Sequence, residues 1–146
     1  MKTGLAIWHY AHRTPVENVT FFSRMGLDSV SLHGSVLDTL SADDGARLSD
    51  ALDETNPVLT VHHTLPRTDS AASLDDFRRQ AERASAWQRK YKKLAIWSFD
   101  VPDAVRRDIT PYIRAALDAF AGEATRIAVE DFGLNESELA QSLELA

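Results

Sequence analysis

The sequence predicts an α/β fold built on a parallel sheet, and three observations predict it. Apolar runs rich in β-formers recur five times, segments with helical signals separate them, and the repeat step is roughly 25 to 35 residues, the spacing of βαβ units. Two architectures satisfy that pattern. One is a five-stranded open doubly wound sheet, which would be complete at 146 residues. The other is the first five units of a partial (β/α)8 barrel, a fold that takes about 250 residues when whole. Length alone favours the open sheet, and either way residues 1–146 read as a single domain.

The expected strands are Leu5 to Trp8, Ser29 to Leu32, Val58 to Val61, Leu94 to Trp97 and Ile127 to Val129, each bounded by polar or turn residues. The first helix opens at Thr14-Pro15-Val16-Glu17, where a capping hydroxyl, a first-turn proline and an early acid coincide. Phe21, Phe22 and Met25 form its apolar side, and Gly26 marks its end because glycine readily turns left-handed. A second helix starts at Ser41, ahead of Asp43 and Asp44, and stops at Asn56-Pro57. The third runs from Ser73 to about Lys90 with Leu74, Phe77, Ala81, Ala84 and Trp87 near one side. A fourth helical region follows Pro102, breaks before Pro111 and continues through Ile113, Leu117 and Phe120. A fifth begins near Asn135. Leu5-Ala6-Ile7-Trp8 is echoed by Leu94-Ala95-Ile96-Trp97, a match too short to mark a repeat architecture.

A net charge of -6 argues against general affinity for nucleic acid or anionic membrane, both of which reward clustered Lys and Arg. Small molecules or proteins are the expected partners. With no cysteine there is neither a disulfide framework nor thiolate chemistry, so a metal would be held by His, Asp or Glu. That composition fits a reducing, cytoplasmic setting. No apolar run approaches the roughly 20 residues that cross a bilayer, and nothing at the start resembles a secretory leader. The basic stretch Arg78, Arg79, Arg83, Arg89, Lys90, Lys92 and Lys93 lies on or next to the third helix and reads as a solvated face.

Polar residues gather where all five strands end: His9, His33, His62 with His63, Asp100, and Glu130 with Asp131. In parallel α/β folds ligands bind where strands feed into the following loops, so side chains at that rim converge on one site. Taken singly, each of these residues has a plain reading as a solvated or capping group. Side chains alternate across a strand, so only one of His62 and His63 can face the site. Trp8, Trp97 and Phe99 could stack on a flat ligand face, of a sugar or of a base, but aromatic residues in strands are more often core.

Several stretches together resemble the sugar phosphate isomerases and epimerases of the xylose isomerase-like TIM barrel superfamily. They are Leu5-Ala6-Ile7-Trp8, the run Phe21 to Val30, Leu59-Thr60-Val61-His62, and Ile127-Ala128-Val129-Glu130-Asp131-Phe132-Gly133. The last is the most specific, because in that family the fifth strand commonly ends in a glutamate that binds a divalent metal, followed after a short stretch by glycine. The resemblance implies the barrel, here its first five units, with Glu130 as metal ligand and with an aspartate, a histidine and a second glutamate expected from strands six to eight. It also implies that His62 faces the substrate, with His9, His33, Trp8 and Trp97 as weaker candidates.

Oxygen donors suit Mg²⁺ or Mn²⁺, and a mixed oxygen and imidazole set also admits Co²⁺ or Zn²⁺. The implied activity is a metal-dependent isomerase or epimerase acting on a sugar, sugar phosphate or cyclitol, with a small-molecule carbohydrate as partner and homo-oligomers possible through unpaired strand edges. There are departures. Many relatives carry a glutamate in the second strand where this chain has Ser29-Val30-Ser31-Leu32-His33. The fourth strand reads Trp97-Ser98-Phe99-Asp100 where the apurinic endonuclease branch places a metal-binding histidine, which counts against a DNA-repair site. The competing reading is a compact module that binds a small ligand or a protein without catalysis.

Overall fold

The computed structural model describes residues 4–7, 14–63, 71–100 and 109–130; for residues 4–7, 23, 55, 71–73 and 130 it is the backbone that is described. The five strands are β1 (Gly4–Ile7), β2 (Ser29–His33), β3 (Val58–His63), β4 (Leu94–Asp100) and β5 (Arg126–Glu130). Between them lie α1 (Pro15–Ser23), α2 (Gly34–Thr39), α3 (Ala42–Thr55), α4 (Ala71–Tyr91) and α5 (Thr110–Ala119). The expected helix near Asn135 and the stretch after Pro102 up to residue 108 lie outside the described residues. α2 was not anticipated; its six residues are too few for a helical period to show in the sequence.

All neighbouring strands pair in parallel, in the order β1-β2-β3-β4-β5. Each strand thus lies beside its predecessor, without the reversal of order that defines a doubly wound sheet. The fold is the first five units of a (β/α)8 barrel, and the open doubly wound alternative is excluded. The single core confirms it: Val30 and Leu32 of β2, Leu59 and Val61 of β3, and Trp97 and Phe99 of β4 are buried in one cluster with Val19, Leu48, Phe77, Ala81 and Ile113 of the helices and Phe120 at the end of α5. The helices therefore cover one face, and the alternate residues Ser31, His33, Thr60, His62 and Ser98 belong to the other, which in a barrel is the concave interior.

β4 departs from simple alternation. Leu94 pairs with Leu59 but Ile96 pairs with Thr60, so Ala95 is an extra residue. This bulge lets Leu94 and Trp97, three apart, both face the helices. Around Trp97 the core is aromatic: Phe77 of α4 lies 5.3 Å from Trp97, 5.0 Å from Phe99 and 5.3 Å from Tyr112, and Trp97 lies 5.3 Å from Phe120.

Local chemistry sets the element ends. Thr14 Oγ1 accepts from the Glu17 amide at 3.3 Å while Glu17 Oε2 accepts from the Thr14 amide at 2.7 Å, closing the capping box at the start of α1. Ser41 Oγ accepts from the Asp44 amide at 3.1 Å to cap α3. Its far end turns through Asn56 at φ 51°, a left-handed conformation that asparagine tolerates. Gln88 of α4 bridges to the next strand by accepting from the Leu94 amide at 2.7 Å. The expected boundaries at Thr14, Ser41 and Asn56 thus coincide with side-chain or backbone caps.

Candidate rim site on the concave face

Strand register assembles the site. His33 pairs with His62, His62 with Ser98, and Ser98 with Ala128, so one row crosses four strands near their carboxyl ends. One step further along, Asp100 pairs with Glu130. Residues two apart on a strand share a face, so Asp100 lies on the same face as Ser98, with the backbone of Glu130 beside it.

His62 is 5% exposed, and its Nδ1 lies 3.1 Å from Ser98 Oγ, itself buried on the next strand. The pair is satisfied in either tautomer: if Nδ1–H donates to the hydroxyl, Nε2 is left as an acceptor; if the hydroxyl donates, Nε2 carries a proton. Ser98 was missed by sequence reasoning, because a serine between Trp97 and Phe99 has no signal of its own until β3 is laid beside it.

His33 is half-buried and doubles as the N-cap of α2. Its Nδ1 accepts from the Ser35 amide at 3.3 Å and lies 2.8 Å from Ser35 Oγ. A ring nitrogen that accepts from an amide carries no proton, so the proton of the neutral ring is on Nε2.

His63 goes the other way. It is buried on the helix side, its ring 5.2 Å from Trp97, with Nδ1 2.7 Å from Gln80 Oε1 of α4. Burial away from water pushes its pKa down to about 4, against smaller upward pulls from the Gln80 hydrogen bond and Asp38. Its Nε2 has no hydrogen-bond partner among the described residues.

Trp97, expected as a possible substrate contact, does not join the row. It is fully buried among Phe77, Phe99 and Phe120, because alternation along β4 sends it to the face opposite Ser98. Trp8, His9 and Asp131 to Gly133 lie outside the described residues. The basic residues of α4 line a surface groove of about 740 Å³ between α4 and α5, away from the rim. Arg78 pairs with Asp75, Arg79 with Asp76 and Arg83 with Asp38, all with exposed guanidinium groups, as a solvated face would have them.

Two carboxylate positions side by side, with an imidazole in the row below, are donor types that a divalent cation accepts. Among the described residues, however, no three His, Asp or Glu side chains come together as a metal cluster. No helix among them is long and apolar enough to cross a membrane.

No known family profile matches the sequence. No curated protein matches it either. Solved structures do. A D-psicose 3-epimerase crystallised in the presence of D-fructose superposes with a TM-score of 0.69 at 13% identity, over 99% of this chain and 60% of that one. The D-psicose 3-epimerase of Clostridium cellulolyticum H10, crystallised with D-tagatose, gives 0.67 at 11% identity with the same coverage. The β-glucuronidase of Parabacteroides merdae, with glycerol in its active site, gives 0.57 at 14% identity over 88% of this chain and 17% of that one. The chain thus spans about 60% of the length of the epimerases whose barrel it shares. At these identities the likeness establishes the fold.

Proposed function

We propose that this chain carries the first five strand-helix units of a metal-dependent isomerase or epimerase that acts on a sugar, sugar phosphate or cyclitol by proton transfer next to a carbonyl. The observation that carries the reading is the row His33, His62 and Ser98 on the concave face, with Asp100 and position 130 next along, at the strand ends where a barrel binds its ligand. The fold likeness to two epimerases, crystallised with D-fructose and with D-tagatose, supports the same class of substrate.

In this reading Glu130 is the metal ligand from this part of the chain, for Mn²⁺, Mg²⁺, Co²⁺ or Zn²⁺. A bound divalent cation supplies the positive charge that stabilises the sugar oxygen as the adjacent carbon loses its proton. The chain's own groups do the rest. His33 and His62, the latter steadied by Ser98, are the imidazoles set to contact the substrate. Asp100, beside Glu130 in register, is the carboxylate we assign to hold the proton taken from carbon. His9 and Trp8, candidates of the sequence, lie outside the described residues.

The test is Glu130→Gln in the full-length protein. Calorimetric titration with Mn²⁺ is expected to lose at least tenfold in affinity, and epimerisation of a ketohexose to fall with it. Full turnover in the variant removes Glu130 from the site.

A further inference from the structure

His63 lies outside the rim, yet it touches the elements on either side of the rim histidines. A methyl group built on Gly34 would overlap Cε1, Nδ1 and Nε2 of the His63 ring, so the imidazole occupies the space a side chain at 34 would need. The same ring bonds Gln80 of α4 through Nδ1 and leans on Trp97 of β4. One buried side chain of β3 therefore meets α2, α4 and β4 at once. Gly34 directly follows His33 and is the first residue of the helix that His33 caps, while His62 directly precedes His63.

We propose that His63 is a positioning residue: its ring, seated on Gly34, fixes the first turn of α2 against β3 and so sets where the rings of His33 and His62 stand across the rim. The significance of that placement for catalysis rests on the function proposed above; the placement itself does not.

The physical reasoning starts from the contact. Packed interiors have little slack, so a ring filling a glycine's missing side chain leaves α2 only one height above the sheet. His33 receives that height through the peptide bond to Gly34, and its bond to Ser35 Nδ1-to-amide needs the first turn in place. An imidazole suits the position because it combines a flat ring with a polar edge: one face covers Gly34, and Nδ1 meets Gln80. Asp38 of α2, paired with Arg83 of α4 at 3.5 Å, closes the charged surroundings together with His33 and His62.

The experiment reads the rim directly, by NMR of the imidazole groups in the full chain, with thermal unfolding as the measure of stability. Gly34→Ala and His63→Ala are expected to shift the His33 and His62 ring signals and to abolish the cross-peak between the His33 ring and Ser35. His63→Phe, which keeps a ring over Gly34 and drops the Gln80 bond, is expected to keep that cross-peak. Leu48→Ala, a core truncation in α3, controls for lost stability and is expected to leave the ring signals in place. The proposal is overturned if His63→Ala leaves the His33 and His62 signals unchanged, or if Leu48→Ala moves them as far. Should Gly34→Ala fail to fold, the comparison of His63→Ala with His63→Phe decides alone. Ring shifts in a protein that never turns over a sugar would sink the isomerase reading and leave this one standing.

Discussion

His62 and His63 are consecutive, and one peptide bond separates a group on the concave side of the sheet from one in the hydrophobic layer. Alternation along a strand made that split legible in the sequence, and the third-strand pattern pointed to His62 as the ring on the site side. The partners were not legible, because Ser98 is 36 positions away and Gln80 is 17. Removing the hydroxyl by Ser98→Ala strips His62 of a buried hydrogen bond and is expected to cost about 1 kcal/mol in denaturant unfolding. His63 gives a pH dependence whose sign is fixed. The unfolded ring takes up a proton near pH 6.5, the folded one near 4, so between those values the unfolded state binds more protons. Stability from this residue is complete above pH 6.5 and falls as the pH drops toward 4, by on the order of 3 kcal/mol across the window. Urea melts between pH 4 and 7 should show that slope in the native protein and a shallower one in His63→Phe.

At the scale of elements, the sequence located helix starts better than it located faces. Thr14 and Ser41 announce themselves because a capping hydroxyl followed by an acid has a local meaning that survives without tertiary context. Thr14→Ala should cost about 1 kcal/mol by removing the hydroxyl that accepts from the Glu17 amide at α1, while the Thr14 amide keeps its bond to Glu17, a loss readable in chemical denaturation. β4 was harder. An aromatic near a strand end suits both a sugar contact and a core, and what assigns Trp97 to the core is its pairing with Val61, a relation between strands rather than within one. The bulge at Ala95 adds to the difficulty by putting Leu94 and Trp97 on one face against the simple period. Phe77 is the residue on which this layer converges, with three aromatic neighbours from β4 and α5. Phe77→Ala should therefore destabilise by about 3 to 5 kcal/mol, measured as a shift in the unfolding midpoint.

For the molecule as a whole, the alternation of strands and helices fixed the class but left the winding open, since both architectures share it. Strand order resolves the ambiguity, and strand order is a property of pairing that no single segment encodes. Among the described residues β1 pairs only with β2, and β5 only with β4. An unpaired parallel edge can accept another strand, so the 146-residue polypeptide is expected to self-associate with rising concentration. Sedimentation equilibrium over a hundredfold range of loading should show the weight-average mass climbing; a constant monomer mass would mean the edges are covered.

The winding also separates two kinds of evolutionary freedom. Because every crossover described here runs along the outer side, the greasy shell that maintains the architecture and the polar lining of the concave face, which in the function proposed above meets the ligand, are written on alternate letters of the same strands. Specificity could then drift by rewriting every second letter, Ser31, His33, Thr60 or Ser98, while the intervening ones keep the scaffold unchanged.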